Sequence, residues 1–220
     1  MKLENKSDKN KAKRQERRKA TAEDFTPPSL INQMLDKFEE FNKDFFKDPT
    51  KTICDPACGN GNMLIEAAKR KLNNNSTPLQ VSETLYGVDI MRDNIGETRR
   101  RLLKLFDEYY TTTYKPIQSI LQLSPNNPKH QEIRQIIANL FCNIVVTPLS
   151  KYKNGALDYD FSFPKRRGKD HKEVIEWANA IVNHGLDHLE NEQVCPDEDI
   201  QAADTANLEE SDERNLFNSL

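Results

Sequence analysis

The chain has 220 residues, 36% of them hydrophobic and 30% charged, and a formal net charge of -3. That length suits one domain with a real core. A mean hydropathy of -0.82, with no apolar run near the ~18 residues of a membrane span, argues against a membrane protein. The N-terminus, KLENKSDKNKAKRQERRK, has no apolar signal-peptide core. The expectation is a cytoplasmic protein with Cys54, Cys58, Cys142 and Cys195 as free thiols.

In chain order, residues 1–19 read as a basic disordered arm. TPPSLINQMLDKFEEF reads as a helix with Thr26 as N-cap and Pro27 at its first position, because Leu30, Ile31, Met34, Leu35, Phe38 and Phe41 recur at helical spacing. KTICD (51–55) reads as a strand, NMLIEAAKRKL (62–72) as a helix and NNNSTP (73–78) as a loop. ETLYGVDI (83–90) is a second strand, and Arg92 to Tyr109 a second helix of this alternation. That helix carries Arg99, Arg100 and Arg101, read as a solvent-exposed basic face. A polar linker around LSPNNPKH leads to a helix over 131–141 and a strand, NIVV (143–146).

Residues 166–192 read as an amphipathic helix through Val174, Ile175, Ala178, Ile181, Val182 and Leu189, with Trp177 packing inward. His184 and His188, one turn apart on it, read as a solvated face rather than a metal site. Residues 193–220 form an acidic tail. Strands alternating with helices predict an α/β fold with a partial parallel sheet, whose ligands bind at the strand C-terminal ends.

The segment DPACGNG (55–61) stands at such an end. Gly59 and Gly61 permit a sharp turn and close approach of a ligand to the backbone, and the helix that follows offers free N–H groups. Asp89 ends the second strand, where a carboxylate accepts ribose hydroxyls. Leu64 stands where a dinucleotide fingerprint would want a third glycine, and no Walker lysine is present. A nucleoside-bearing ligand without a pyrophosphate, such as S-adenosylmethionine, fits what remains.

FTPPSL (25–30), DPACGNG (55–61), YGVDI (86–90) and NIVV (143–146), in that order, resemble the motifs of adenine-specific DNA methyltransferases of the phage and restriction-modification kind. The resemblance spans roughly residues 20–165. It implies a Rossmann-like class I methyltransferase fold, S-adenosylmethionine as cofactor and DNA as partner. It places Phe25, Thr26 and Pro27 at the methionine end of the cofactor, with Thr26 at the carboxylate. Asp55, with Pro56 and Ala57 beside it, falls near the methionine amine. Gly59 and Gly61 form the turn against the cofactor, Asp89 takes the ribose hydroxyls and Ile90 packs on the adenine ring.

The family's acceptor motif, Asp or Asn before Pro-Pro and an aromatic, does not recur after NIVV, since Pro-Pro occurs only at Pro27–Pro28. Asp158 and Phe161, in DYDF, are the nearest catalytic candidates. Thr147-Pro148 stands where the family tends to have an acid after that strand. The expectation is therefore a methyltransferase-like chain, truncated before the catalytic motif and completed by a homodimer or second subunit. The alternative is a catalytically silent cofactor-binding partner. No metal is expected.

Overall fold

The protein is described by a computed structural model covering residues 26–146, 151–153, 156–158 and 168–190. The arm, the tail, Phe25, Thr147-Pro148 and Phe161 lie outside the described residues. Helix α1 spans Pro28–Phe41, strand β1 Ile53–Asp55 and helix α2 Asn62–Asn73. Helix α3 spans Pro78–Thr84, β2 Leu85–Asp89 and α4 Arg92–Thr113. Helix α5 (Ile117–Leu121) and α6 (Pro128–Asn143) lead to β3 (Ile144–Val146). Strands β4 (Lys151–Lys153) and β5 (Ala156–Asp158) follow, then α7 (Lys172–His184) and a 3-10 turn, Leu186–Glu190.

The first three strands make a parallel sheet in the order β1-β2-β3. Asp55 lies opposite Gly87, and Asp89 opposite Val146. Parallel pairing follows from the helical crossovers, which alone return the chain in the same direction. The central strand is buried at Leu85, Gly87 and Val88. At Gly87 the approach of α2 is so close that a Cβ would lie 2.6 Å from Leu64 Cδ1. Leu64, Ala67 and Ala68 of α2, Leu102, Leu103 and Phe106 of α4, and Ile133, Ile137 and Leu140 of α6 form one core with the sheet. Trp177 of α7 is buried as expected and meets Phe141 edge-on at 5.0 Å. Strands β4 and β5 pair antiparallel as a separate hairpin.

Several expectations need correction. The N-cap of α1 is Pro27, not Thr26, and Pro28 holds the first helical position. Pro28 lacks a backbone N–H, so it suits the place where that N–H would be orphaned. The predicted 73–78 loop ends in α3, which Thr77 opens with a capping box to Gln80. An unpredicted short helix, α5, precedes the polar linker around LSPNNPKH, and the last residues of that linker, from Pro128, already belong to α6.

The arginine run is not one exposed face. Arg99 is buried, donating to the Ile144 carbonyl at 2.7 and 2.9 Å and stacking 4.4 Å from the Phe141 ring. Arg100 pairs with Glu97, and Arg101 reaches the glycine turn. Consecutive helical residues point about 100° apart, so three in a row cannot share a face.

Candidate functional site

The turn after β1 is held from three directions. The Cys58 N–H donates to the Val88 carbonyl at 2.9 Å, and the Gly59 N–H to Asp89 Oδ2 at 2.9 Å. The β1 turn is thereby fastened to the tip of β2. Gly59 (φ 51°) and Gly61 (φ 82°) are both left-handed, the conformation that glycine alone adopts without strain. A Cβ on Gly61 would lie 2.6 Å from Thr98 Cγ2. Thr98 Oγ1 in turn donates to the Gly59 carbonyl at 3.1 Å.

Both acids singled out in the sequence stand at this turn. Asp55 is half-buried and accepts the Ala57 N–H at 3.2 Å. Burial, together with the nearby charge of Asp89, holds its carboxyl above the usual carboxylate range, although the Ala57 N–H pulls the other way. Asp89 accepts three hydrogen bonds: from Gly59, from the Met91 N–H at 2.7 Å and from Asn94 Nδ2 at 3.2 Å. Burial and both acids push the Cys58 thiol far up, so it is an inert core thiol. Cys54 and Cys58 are free thiols.

Of the other sequence candidates, Thr26 and Pro27 lie at the start of α1, and Asn62 Nδ2 donates to the Thr26 carbonyl at 3.4 Å. The Thr26-Pro27 segment is thus drawn to the glycine turn. Ile90 is 57% exposed at the β2 tip, open to pack on a flat ligand. Pro56 borders a hollow of about 360 Å³ between α1 and β1, with Met34, Phe38, Ile53, Asp55 and Met63. That volume falls in the range of about 300–1,000 Å³ typical of small-molecule sites. Its lining includes Asp55 but no residue of β2. Ala57 is exposed on the turn itself. Asp158 lies in β5, in the hairpin outside the three-stranded sheet, and its side chain is outside the described residues.

Sequence reasoning missed Thr98, Arg101, Asn62 and Asn94. Thr98 and Arg101 stand one helical turn apart on α4, but nothing local to that helix says which distant backbone they meet. The Asn60 side-chain oxygen is buried without a hydrogen-bond partner. No cluster of three metal-ligating side chains occurs among the described residues, and none of their helices is long and apolar enough to cross a membrane.

A glycine turn fastened to a carboxylate at the tip of the neighbouring parallel strand is shared by several nucleotide-binding lineages, so the family comparison decides among them. The family model for N-6 DNA methylases matches residues 11–193. The chain belongs to the N-6 DNA methylase family. No curated protein and no solved structure gives a match. The matched span takes in the turn, both acids and FTPP together.

Proposed function

We propose that this chain binds S-adenosylmethionine at the tips of β1 and β2, in a Rossmann-like class I methyltransferase fold, and serves methyl transfer to the exocyclic amine of adenine in DNA. The observation that supports it most is the pair of carboxylates, Asp55 and Asp89, flanking a left-handed glycine turn at two adjacent parallel strand ends.

The donor set suits the cofactor. Asp55 is half-buried and its carboxylate accepts the Ala57 N–H, and a cation beside it restores what burial takes away. The methionine ammonium is such a cation. A carboxylate has about four acceptor positions, and Asp89 spends three on Gly59, Met91 and Asn94. One remains for a ribose hydroxyl, so a second hydroxyl must displace the longer Asn94 contact. Phe25, Thr26 and Pro27 close over the methionine end, Pro56 and Ala57 line the approach, and Ile90 faces the adenine ring. When bound, S-adenosylmethionine supplies the methyl group. Asp158 and Phe161 are the candidates for holding the adenine amine, whose lone pair is conjugated with its ring and needs positioning and electrostatic help to react.

Titration calorimetry with S-adenosylmethionine tests this reading. Binding by the wild-type chain is expected, and Asp89→Ala should weaken it by about 1.5–3 kcal/mol, the range of a hydrogen bond to a charged group. Unchanged affinity removes the ribose role of Asp89, and no binding at all sinks the cofactor reading.

A second reading is a cofactor-binding chain that acts with a second subunit or a second copy. It is favoured by the absence of a second Pro-Pro in the sequence and by Leu30, Met34, Phe38 and Phe41 standing exposed along α1. A labelled-methyl assay on duplex DNA separates the two. Binding without transfer selects the partner, and transfer by the purified chain selects the enzyme.

A further inference from the structure

Arg101 touches two things at once. Its Nη1 donates to the Asn60 carbonyl at 2.6 Å and to the Asn62 side-chain oxygen at 2.8 Å. An arginine has only donors, so the Asn62 amide must turn its oxygen toward Arg101 and its NH2 the other way. That NH2 then meets the Thr26 carbonyl. Asn62 is the first residue of α2 and follows Gly61 directly, while Thr26 stands two residues before α1. Three segments distant in sequence are therefore joined by two side chains. Thr98, one turn before Arg101, adds its bond to Gly59, so α4 grips consecutive carbonyls of the turn.

We propose that Arg101 and Asn62 form a positioning relay that holds the Thr26-Pro27 segment against the glycine turn, and so sets the gap in which the methionine end of the cofactor lies. The geometry of the relay stands on the hydrogen bonds alone; its effect on affinity rests on the cofactor reading given above. Neither residue is assigned contact with the cofactor. Each acts by fixing the distance between two segments that do make contact, and a relay of this kind is felt mainly in ligand affinity.

Two variants separate the relay from simple support of the fold. Arg101→Gln loses the charge and the reach. Asn62→Asp keeps an acceptor for Arg101 and suits a helix N-terminus, but has no donor for Thr26. The full chain is used, without cofactor for hydrogen exchange and with S-adenosylmethionine for calorimetry. In both variants the amides of Leu30 and Ile31, which bond to the Pro27 carbonyl, should exchange faster by about an order of magnitude as the first turn of α1 frays. Affinity should fall about tenfold, and Asn62→Asp should melt as the wild type does. Arg101→Lys, which retains charge and donors, should recover part of the affinity.

Unchanged exchange at Leu30 and Ile31 in both variants overturns the relay, whether or not the cofactor binds. Faster exchange with unchanged affinity overturns its role in setting the gap. A wild-type chain that binds no cofactor defeats the cofactor reading instead, and exchange still decides whether the relay exists.

Discussion

On the β3 flank of the sheet, Arg99, Phe141, Ile144 and Trp177 are buried together, and α6 and α7 close over them. On the β1 flank, Cys54 is exposed, Phe41 of α1 is 82% exposed, and a hollow opens between α1 and the strand. The same short sheet is enclosed on one side and open on the other. The enclosed flank supplies rigidity, and the open flank presents Asp55 and the apolar lining that a ligand meets. Stability and binding should therefore respond to different substitutions.

The largest expected effect is on the enclosed flank. Trp177→Ala removes a buried indole and its edge-on contact with Phe141, and should lower unfolding free energy by about 3–5 kcal/mol in urea titrations. A loss below about 1 kcal/mol, the size of an ordinary surface change, would mean that this flank is not the stabilising one.

Next comes Gly61→Ala, at the boundary between the two. The left-handed backbone and the 2.6 Å approach of Thr98 should destabilise the chain by about 1–3 kcal/mol. Because the turn must shift, cofactor binding should weaken in the same protein.

A pH series sharpens the contrast further. The raised carboxyl of Asp55 predicts that affinity for a cationic ligand is full when Asp55 is ionised. As pH is lowered and Asp55 takes up its proton, affinity should fall by up to about tenfold per pH unit, beginning at higher pH than an ordinary aspartate would allow. Stability runs the opposite way: the contribution of Asp55 is present below its unfolded value of 3.8 and is lost as pH rises through its raised folded value. Asp55→Asn should flatten both curves, and a pH-independent affinity in the wild type would detach Asp55 from the ammonium.

The smallest effect is expected at Phe41→Ser on the open flank, within about 0.5 kcal/mol. A large loss there, measured by the same urea titration, would show that α1 is already covered in solution.

The glycine turn, its acids and the helix after it were legible in the sequence because each is a local signal: a turn former, a strand end, a helical period. What escaped was set by contacts between distant segments. Arg99 looks like its neighbours Arg100 and Arg101, and only the Ile144 carbonyl and the Phe141 ring, more than forty residues on, show that it belongs to the core. PLQVSET carries too short an apolar pattern to declare α3, although the Thr77 and Gln80 pair is a capping signature. Asn154-Gly155, between β4 and β5, is the usual mark of a tight hairpin. KYK lacks the apolar alternation that would make a strand stand out beside it. The hollow beside Asp55 has no sequence signal, because it arises from how α1 lies on β1.

Lys71, near the end of α2, is buried and donates to the Lys51 carbonyl at 2.6 Å. The same helix is capped at its start by Gly61, whose N–H closes back on the Cys58 carbonyl. Strand β1 is thus bracketed by a single rod, clasped before its first residue and again after its last. Its length is gauged against that rod, so the loop from Pro56 to Asn60 can change its side chains, the left-handed Gly59 excepted, but has little freedom to change its residue count. Variation in this protein should accordingly appear there as exchange of residue for residue, and not as insertion.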